Sequence, residues 1–365
     1  MSKFVDYTGK ERAIRSAKGR AAGAFDEVPV IDIRPAIAEG ASDEARAAVA
    51  AQIKHAGENV GFMYLAGHGI PEEVQLKAFQ QARLFFEQDL GAKRQLDFKK
   101  SPVFRGYEGL AGNAQGDRKE AFNWGYEPSA DPLNPSNEDV VEDATAGSGK
   151  NVWPSLDSPA GGLRDAILDY YGQALVLGRK VIRLFALALD LPEDTFDKSF
   201  AVPGVLGRIL HYPPQPPSDA EAIGVNQHTD IEILTLNTEK YNTQAGEWLE
   251  VPPIPGTLVC NVGDMLARWT NDRFISTVHR VVNRTGQQRY SMPCFFGPNY
   301  STMIETFSQC LAPGETSKYE PIRAGEVGYV WRRLARSRLG RKYDEKEKLE
   351  DAVKIDSAVP VTAVA

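Results

Sequence analysis

Asn226-Gln-His228-Thr-Asp230 is the stretch on which the reading of this chain turns, and its counterpart is Ser276-Thr-Val-His279-Arg280, whose histidine lies 49 positions beyond Asp230. On a strand, residues two apart share a face, so His228 and Asp230 are expected to project together. His279, arriving from a distant strand, would complete a set of two imidazoles and one carboxylate. That facial set suits non-haem Fe(II), because it leaves about three adjacent positions open for other ligands. A lone His-x-Asp pair also arises by chance, and a strand histidine is more often a hydrogen-bonded core residue than a ligand. The pair by itself leaves both readings open.

The surrounding residues read as β-structure. From Val205 onward, short β-branched runs are separated by turns: Leu206–Tyr212, Ile231–Leu236, Trp248–Val251, Thr257–Asn261, Val278–Asn283 and Arg289–Phe296. Short strands at regular spacing, with no helices between them, indicate an antiparallel sandwich or barrel. Ten residues after His279, Arg289 and Ser291 share a strand face. A guanidinium fork beside a hydroxyl is a receptor for a carboxylate, which it meets bidentately. Metal triad and carboxylate clamp together indicate an iron site that takes a chelating oxo-acid.

Upstream, Val28-Pro-Val-Ile-Asp-Ile33 reads as a strand, and Ser42 caps a helix predicted to about Ala56, with Asp43 and Glu44 in its first turn. Gly61–Leu65 is predicted as a second strand. Pro71 opens a helix to about Asp89 with apolar positions Val74, Ala78, Phe85 and Leu90. The stretch 106–154, rich in Gly, Pro, Asn and Asp, reads as functional loop or insertion, ahead of a long helix over 163–189. A basic helix is expected from Tyr329 to about Lys348. The expected fold is α+β, a jelly roll (double-stranded β-helix) with N-terminal and flanking helices. Its expected divisions are an arm at 1–27, an N-terminal region at 28–155, the jelly-roll domain with its packing helices at 156–350, and a tail at 351–365.

The chain has 365 residues, 42% hydrophobic and 25% charged, the proportions of a globular protein with a sizeable core. A net charge of −7 argues against a general polyanion binder, since nucleic-acid affinity comes mostly from a basic surface. Cys260, Cys294 and Cys310 form no CxxC pair, so a reducing compartment is the simpler expectation. Residues 1–25 hold no apolar run of the secretory kind. The most apolar long stretch, Ala166–Leu191, carries Asp169, Arg179, Lys180 and Arg183, which suits a buried helix with a polar side better than a membrane span. The expectation is a cytoplasmic protein without nucleic-acid or membrane partners, compatible with a monomer.

Further segments carry a resemblance. They are Val60-Gly-Phe-Met-Tyr-Leu-Ala-Gly-His-Gly-Ile70, Leu210-His-Tyr-Pro213, Pro252-Pro-Ile-Pro-Gly-Thr257, Asn261-Val-Gly-Asp-Met265, Ser276-Thr-Val-His-Arg-Val281 and Arg289-Tyr-Ser-Met-Pro-Cys-Phe-Phe296. With His228-Thr-Asp230 among them in order, the chain resembles the iron(II)/2-oxoglutarate-dependent oxygenase superfamily, in the branch with isopenicillin N synthase, flavonoid oxygenases and fungal hydroxylases. The likeness runs from about Val28 to Tyr343. It implies Fe(II) on His228, Asp230 and His279, and the distal carboxylate of 2-oxoglutarate on Arg289 and Ser291. Tyr212 matches a tyrosine that often hydrogen-bonds the same co-substrate. The resemblance also implies O2 as oxidant, succinate and CO2 as products, and ascorbate as a stimulant. The substrate would be a small natural-product or amino-acid-derived molecule that is hydroxylated, desaturated or cyclised.

Arg105 is a candidate for holding a substrate carboxylate, or else a loop ion-pair residue, and Phe296 either lines the pocket or belongs to the core. The motifs also admit an oxidase of the isopenicillin N synthase type, needing no 2-oxoglutarate, and a non-catalytic metal-binding sensor. One departure stands out. Between Asp230 and Gly246-Glu-Trp248, relatives usually carry a longer stretch with a Gly-Leu-Gln-Val-like strand, which is not recognisable in Ile231–Ala245. Thr238–Gly246 is therefore expected to be an exposed loop, with the pocket more open on that side or covered by 106–154.

Overall fold

The computed structural model describes residues 3–5, 11–13, 27–103, 105–110, 117–134, 149–215, 223–240, 251–283 and 286–326. A short hairpin of β1 (Lys3–Val5) and β2 (Glu11–Ala13) precedes β3 (Val30–Asp32) and the single turn α1 (Arg34–Ile37). Ser42 caps α2 (Asp43–Asn59), its Oγ accepting from the Ala45 amide at 3.2 Å. Asp43 and Glu44 occupy the first turn, where the helix dipole favours negative charge. After β4 (Phe62–Ala66) comes α3 (Glu72–Phe86), which stops sooner than its apolar pattern suggests. Leu90 is exposed and opens a separate helix, α4 (Leu90–Gln95), capped by Asp89. The long apolar stretch forms α5 (Leu163–Ala188), about 39 Å at 1.5 Å per residue.

The remaining strands are β5 (Gly106–Glu108), β6 (Glu120–Gly125), β7 (Leu206–Tyr212), β8 (Ile223–His228), β9 (Leu234–Lys240), β10 (Thr257–Val262), β11 (His279–Val282), β12 (Arg289–Phe296), β13 (Met303–Ile304) and β14 (Ile322–Arg323). Eight strands make one sheet in the order β3-β4-β10-β9-β12-β7-β6-β5, antiparallel except for β3 with β4. Alternation gives this sheet two faces. Trp124, Gly207, Cys294 and Phe296 turn toward α5 and the main core. Gly207 is needed there because a Cβ would fall 2.1 Å from the Trp124 ring. The opposite face is covered by the β8–β11 pair, whose Val225 and Val281 pack on Ala121, Leu210 and Tyr212. Two facing sheets with helices outside one of them form the α+β, double-stranded β-helix architecture. Cys260 and Cys294 are core residues, and burial pushes both thiols up to about 12.

Several expectations change. The stretch 106–154 contains β5 and β6, and β6 is buried along its whole length. Its polar residues Glu120 and Asn123 are held in internal hydrogen bonds, so polarity there does not track exposure. A short helix, α6 (Asp264–Trp269), interrupts the β region. Thr238 to Lys240 are not loop: they end β9, which pairs with β10 on one side and β12 on the other. Thr235 and Thr238 are both buried, so the strand lacks the apolar–polar alternation of a half-exposed one. The strand read at Ile231–Leu236 is this same β9, beginning at Leu234. Val251 is not in a strand. The rest of the strand expected at 248–251, the basic helix at 329–348 and the tail at 351–365 lie outside the described residues. Among the described residues, no helix is long and apolar enough to cross a membrane.

Candidate active site

His228 is the last residue of β8, and the chain leaves the strand at Thr229, so shared-face alternation does not by itself position Asp230. A turn locked onto α6 does. The Asp264 amide donates to the Asp230 carbonyl at 2.8 Å, the Met265 amide to Ile231 at 2.8 Å, and the Gly263 amide to Ile233 at 2.9 Å. A Cβ on Gly263 would lie 2.1 Å from the Glu232 carbonyl oxygen, so only glycine permits this approach. Thr229 Oγ1 donates to Asp264 Oδ2 at 3.0 Å. Asn261-Val-Gly-Asp-Met265 is thus the scaffold on which His228-Thr-Asp230 is built.

The triad converges. His279 stands directly opposite His228 in the β8–β11 pair, with ring centroids 4.2 Å apart. Asp230 Oδ1 lies 3.7 Å from His228 Nε2 and 3.6 Å from His279 Nε2. On the far side of each ring, Nδ1 meets a backbone carbonyl, that of Asn226 at 2.7 Å for His228 and that of Thr277 at 3.1 Å for His279. Those contacts assign the proton of each neutral imidazole to Nδ1, which leaves the Nε2 lone pairs directed at the centre. Asp230 is buried, and its Oδ2 accepts from Thr235 Oγ1 and, at 2.8 Å, from Asn261 Nδ2, so Oδ1 faces the two imidazoles. Phe62 packs edge-on to His279 at 5.3 Å. Gly61, at φ +75°, lets β4 start against the segment leading to His279, where a Cβ would meet the Ile275 carbonyl at 2.1 Å. Among the described residues this triad is the group whose ligand atoms could hold a metal ion, and two imidazoles with one carboxylate suit Fe(II).

Arg289 pairs with Tyr212, and Ser291 with Leu210, across β12 and β7. The Arg289 guanidinium lies 5.1 Å above the Tyr212 ring, and the Tyr212 hydroxyl is 3.3 Å from Ser291 Oγ. All three side chains are buried on the face covered by the β8–β11 pair. His211 turns to the other face, as alternation requires. There Glu120 accepts from His211 Nδ1 at 2.8 Å, Lys93 Nζ at 2.8 Å and the Tyr107 hydroxyl at 2.7 Å. Burial alone would raise the Glu120 carboxyl, but the hydrogen bonds from His211, Lys93 and Tyr107 hold it below the ordinary value.

The two substrate candidates part company. Arg105 is buried with its guanidinium lying over Gly125, where a Cβ would come within 2.1 Å of it, and near the Tyr300 hydroxyl. Gly125 is one residue beyond the core-facing Trp124, so this guanidinium lies on the triad's side of the sheet. Phe296 does not line the pocket. It stacks on Phe200 at 5.0 Å and packs against Gly178 of α5, because seven residues of alternation from Arg289 put it on the opposite face. Asn261 and Asp264 carry no mark in the sequence beyond their motif, and Thr235 lies in no motif. Their polarity on buried strand and helix positions is the signal that could have found them.

A nitrogen–nitrogen–oxygen donor set at one end of a double-stranded β-helix, with a buried arginine deeper in the same barrel, defines a class of non-haem iron protein. Comparison with known proteins makes the class specific. Residues 206–298 match the family model described as the 2OG-Fe(II) oxygenase superfamily, and residues 28–156 match that of a non-haem dioxygenase in morphine synthesis, N-terminal. A 2-oxoglutarate-Fe(II) type oxidoreductase of Metarhizium majus is 34% identical over 88% of this chain and 89% of its own length. A homoarginine-6-hydroxylase of Oryza sativa subsp. japonica is 31% identical over 83% of this chain and 95% of its own. Among solved structures, a full-length Neurospora crassa protein in complex with alpha-KG and thymine superposes with a TM-score of 0.72, at 25% identity, over 88% of this chain and 99% of that one. The chain belongs to the 2OG-Fe(II) oxygenase superfamily. It is an oxidoreductase that uses Fe(II), 2-oxoglutarate and O2 on a small-molecule substrate.

Proposed function

We propose that His228, Asp230 and His279 hold the Fe(II) of this dioxygenase, and that Arg289, Ser291 and Tyr212 receive the distal carboxylate of 2-oxoglutarate. The observation that carries the reading is the pair of Nδ1–carbonyl contacts, which leave both Nε2 atoms facing Asp230 Oδ1. The metal supplies the redox chemistry that couples oxidative decarboxylation of 2-oxoglutarate to oxidation of the substrate. The protein supplies orientation and a dry barrel. Thr235 and Asn261 keep the Asp230 carboxylate turned to the metal. Arg289 offers a fork whose approach is set by the Tyr212 ring, with the Ser291 and Tyr212 hydroxyls beside it.

Hydroxylation is the default outcome, with succinate and CO2 released, and desaturation or ring closure are its variants. An amino-acid-derived substrate is favoured by the likeness to the homoarginine hydroxylase. A small heterocycle is favoured by the likeness to the thymine complex. The enzyme acts as a cytoplasmic protein without nucleic-acid or membrane partners, is compatible with a monomer, and uses ascorbate as a stimulant. Its divisions are the arm 1–27, the N-terminal region 28–155, the catalytic jelly roll 156–350 and the tail 351–365. The test is succinate release from 2-oxoglutarate by the iron-loaded enzyme in air, with His279→Ala as control. Succinate formation that depends on iron and is lost in the variant supports the reading. Oxygen consumption without succinate would instead favour an isopenicillin N synthase-type oxidase, and no oxygen consumption a metal-binding sensor.

A further inference from the structure

The two triad histidines are held from behind in the same manner. In each, the carbonyl two residues upstream accepts from Nδ1, that of Asn226 for His228 at 2.7 Å and that of Thr277 for His279 at 3.1 Å. Such a contact aims a ring only as well as the carbonyl itself is fixed. Thr277 is fixed by its own hydroxyl, Oγ1 donating to the Val60 carbonyl at 2.6 Å. Asn226 is fixed from much further along the chain. Its backbone amide donates to Asp117 Oδ1 at 2.8 Å, and its side-chain Nδ2 donates to the same oxygen at 3.1 Å.

Asp117 stands 109 residues before Asn226, in the segment that leads into β6. That segment lies along β8: the Arg118 amide donates to the Gly224 carbonyl at 3.1 Å, and Arg118 Nη1 donates to Gln215 Oε1 at 3.0 Å. Gly224 and Asn226 turn their backbone groups to one edge of β8, so the Asp117 carboxylate takes the place that the carbonyl of a further strand would hold. Asp117 is buried, and a buried carboxylate is costly where a main-chain carbonyl would satisfy the same amide without charge. The carboxylate does more than a carbonyl could. One oxygen fastens both the backbone and the side chain of Asn226, through charge-assisted bonds about twice as strong as neutral ones. Lys119, also buried, supplies opposite charge beside it. With Asn226 held at two points, the direction of its carbonyl is set, and with it the plane of the His228 ring.

We propose that Asp117 is a positioning residue for the iron: it aims His228 through the Asn226 carbonyl, so that the segment before β6 completes a metal site whose ligands all lie downstream of it. This rests on the reading of His228, Asp230 and His279 as the Fe(II) ligands. The test is anaerobic titration of the metal-stripped protein with Fe(II) and then with 2-oxoglutarate, recording affinity and the visible charge-transfer band. Urea unfolding of each stripped protein is measured in parallel. Asp117→Ala should weaken Fe(II) binding about tenfold, the lower end of what removing a group behind a metal ligand costs, and should displace the band. Asp117→Asn keeps an acceptor oxygen at the same reach but without the charge, so it should recover part of both. Being nearly isosteric, it also carries the test if the alanine variant fails to fold, and should then show a several-fold loss by itself. A merely structural bond would lower the urea midpoint of the variants while the folded protein kept wild-type Fe(II) affinity and an unmoved band. That result would overturn the proposal and leave the ligand assignment standing. A wild-type protein that binds no Fe(II) would overturn the ligand assignment, and this proposal with it.

Discussion

Replacing Thr235 with valine removes one hydroxyl and almost no volume, and it acts on the iron site without touching a ligand. Thr235 sits on β9, buried, with Oγ1 donating to Asp230 Oδ2, while Asn261 Nδ2 supplies the second donor at 2.8 Å. Together they set the carboxylate plane so that Oδ1 stands 3.7 and 3.6 Å from the two Nε2 atoms. A hydrogen bond to a charged group contributes about 1.5–3 kcal/mol. Asn261 still anchors the same oxygen, so the lower end applies, about 1.5 kcal/mol or roughly tenfold in affinity for the metal. That agrees with the 10- to 100-fold range, about, seen when residues supporting metal ligands are removed. Anaerobic titration of the stripped protein with Fe(II) should show this loss directly, and Thr235→Ser should recover most of it. Iron affinity unchanged in Thr235→Val would refute the idea that this hydroxyl orients Asp230.

Other outcomes follow from the same geometry. His228→Ala, Asp230→Ala and His279→Ala should each abolish turnover while far-ultraviolet circular dichroism stays native; full activity at limiting iron in any of them would remove that residue from the metal site. Arg289→Ala should raise the 2-oxoglutarate requirement about tenfold to a hundredfold, the worth of a charge-assisted pair, and far more than the substrate requirement. Arg289→Lys should recover part, and a selective loss of organic-substrate affinity instead would favour the oxidase alternative. Gly207→Ala drives a Cβ to 2.1 Å from the Trp124 ring and should destabilise the fold by about 1–3 kcal/mol or more, visible as a lower urea midpoint. Amides of 234–240 should exchange slowly with solvent deuterium in the substrate-free enzyme, because β9 is paired on both sides; fast exchange would mean an open edge.

Much of the architecture was legible where local signals are strong. Ser42 with two acids after it sets the start of α2, and α5 follows from its apolar face, because capping and helical periodicity act within a few residues. The triad and the Arg289–Ser291 pair were legible as residue types at particular spacings. What the sequence hid were strands whose polar residues face inward. Glu120 and Asn123 on β6, and Thr238 on β9, are buried polar groups satisfied by distant partners, so they read as loop.

The sequence by itself determined the ligand set, the fold class and the alternation that puts Arg289 and Ser291 on one face, because these depend on residue identity and strand period. Tertiary structure decided the rest. Asp230 is aimed by a turn locked to α6 and by Thr235 and Asn261, residues that meet it only when β8, β9 and β10 are assembled. Phe296 went to the core and Arg105 to the barrel side. Glu108 came to serve both Lys119 and Arg208 because β5, β6 and β7 are neighbours in the sheet although β7 is distant in the chain. Hydrogen bonds and charge pairs form between atoms a few ångströms apart, and no local pattern along the chain records which distant atoms those will be.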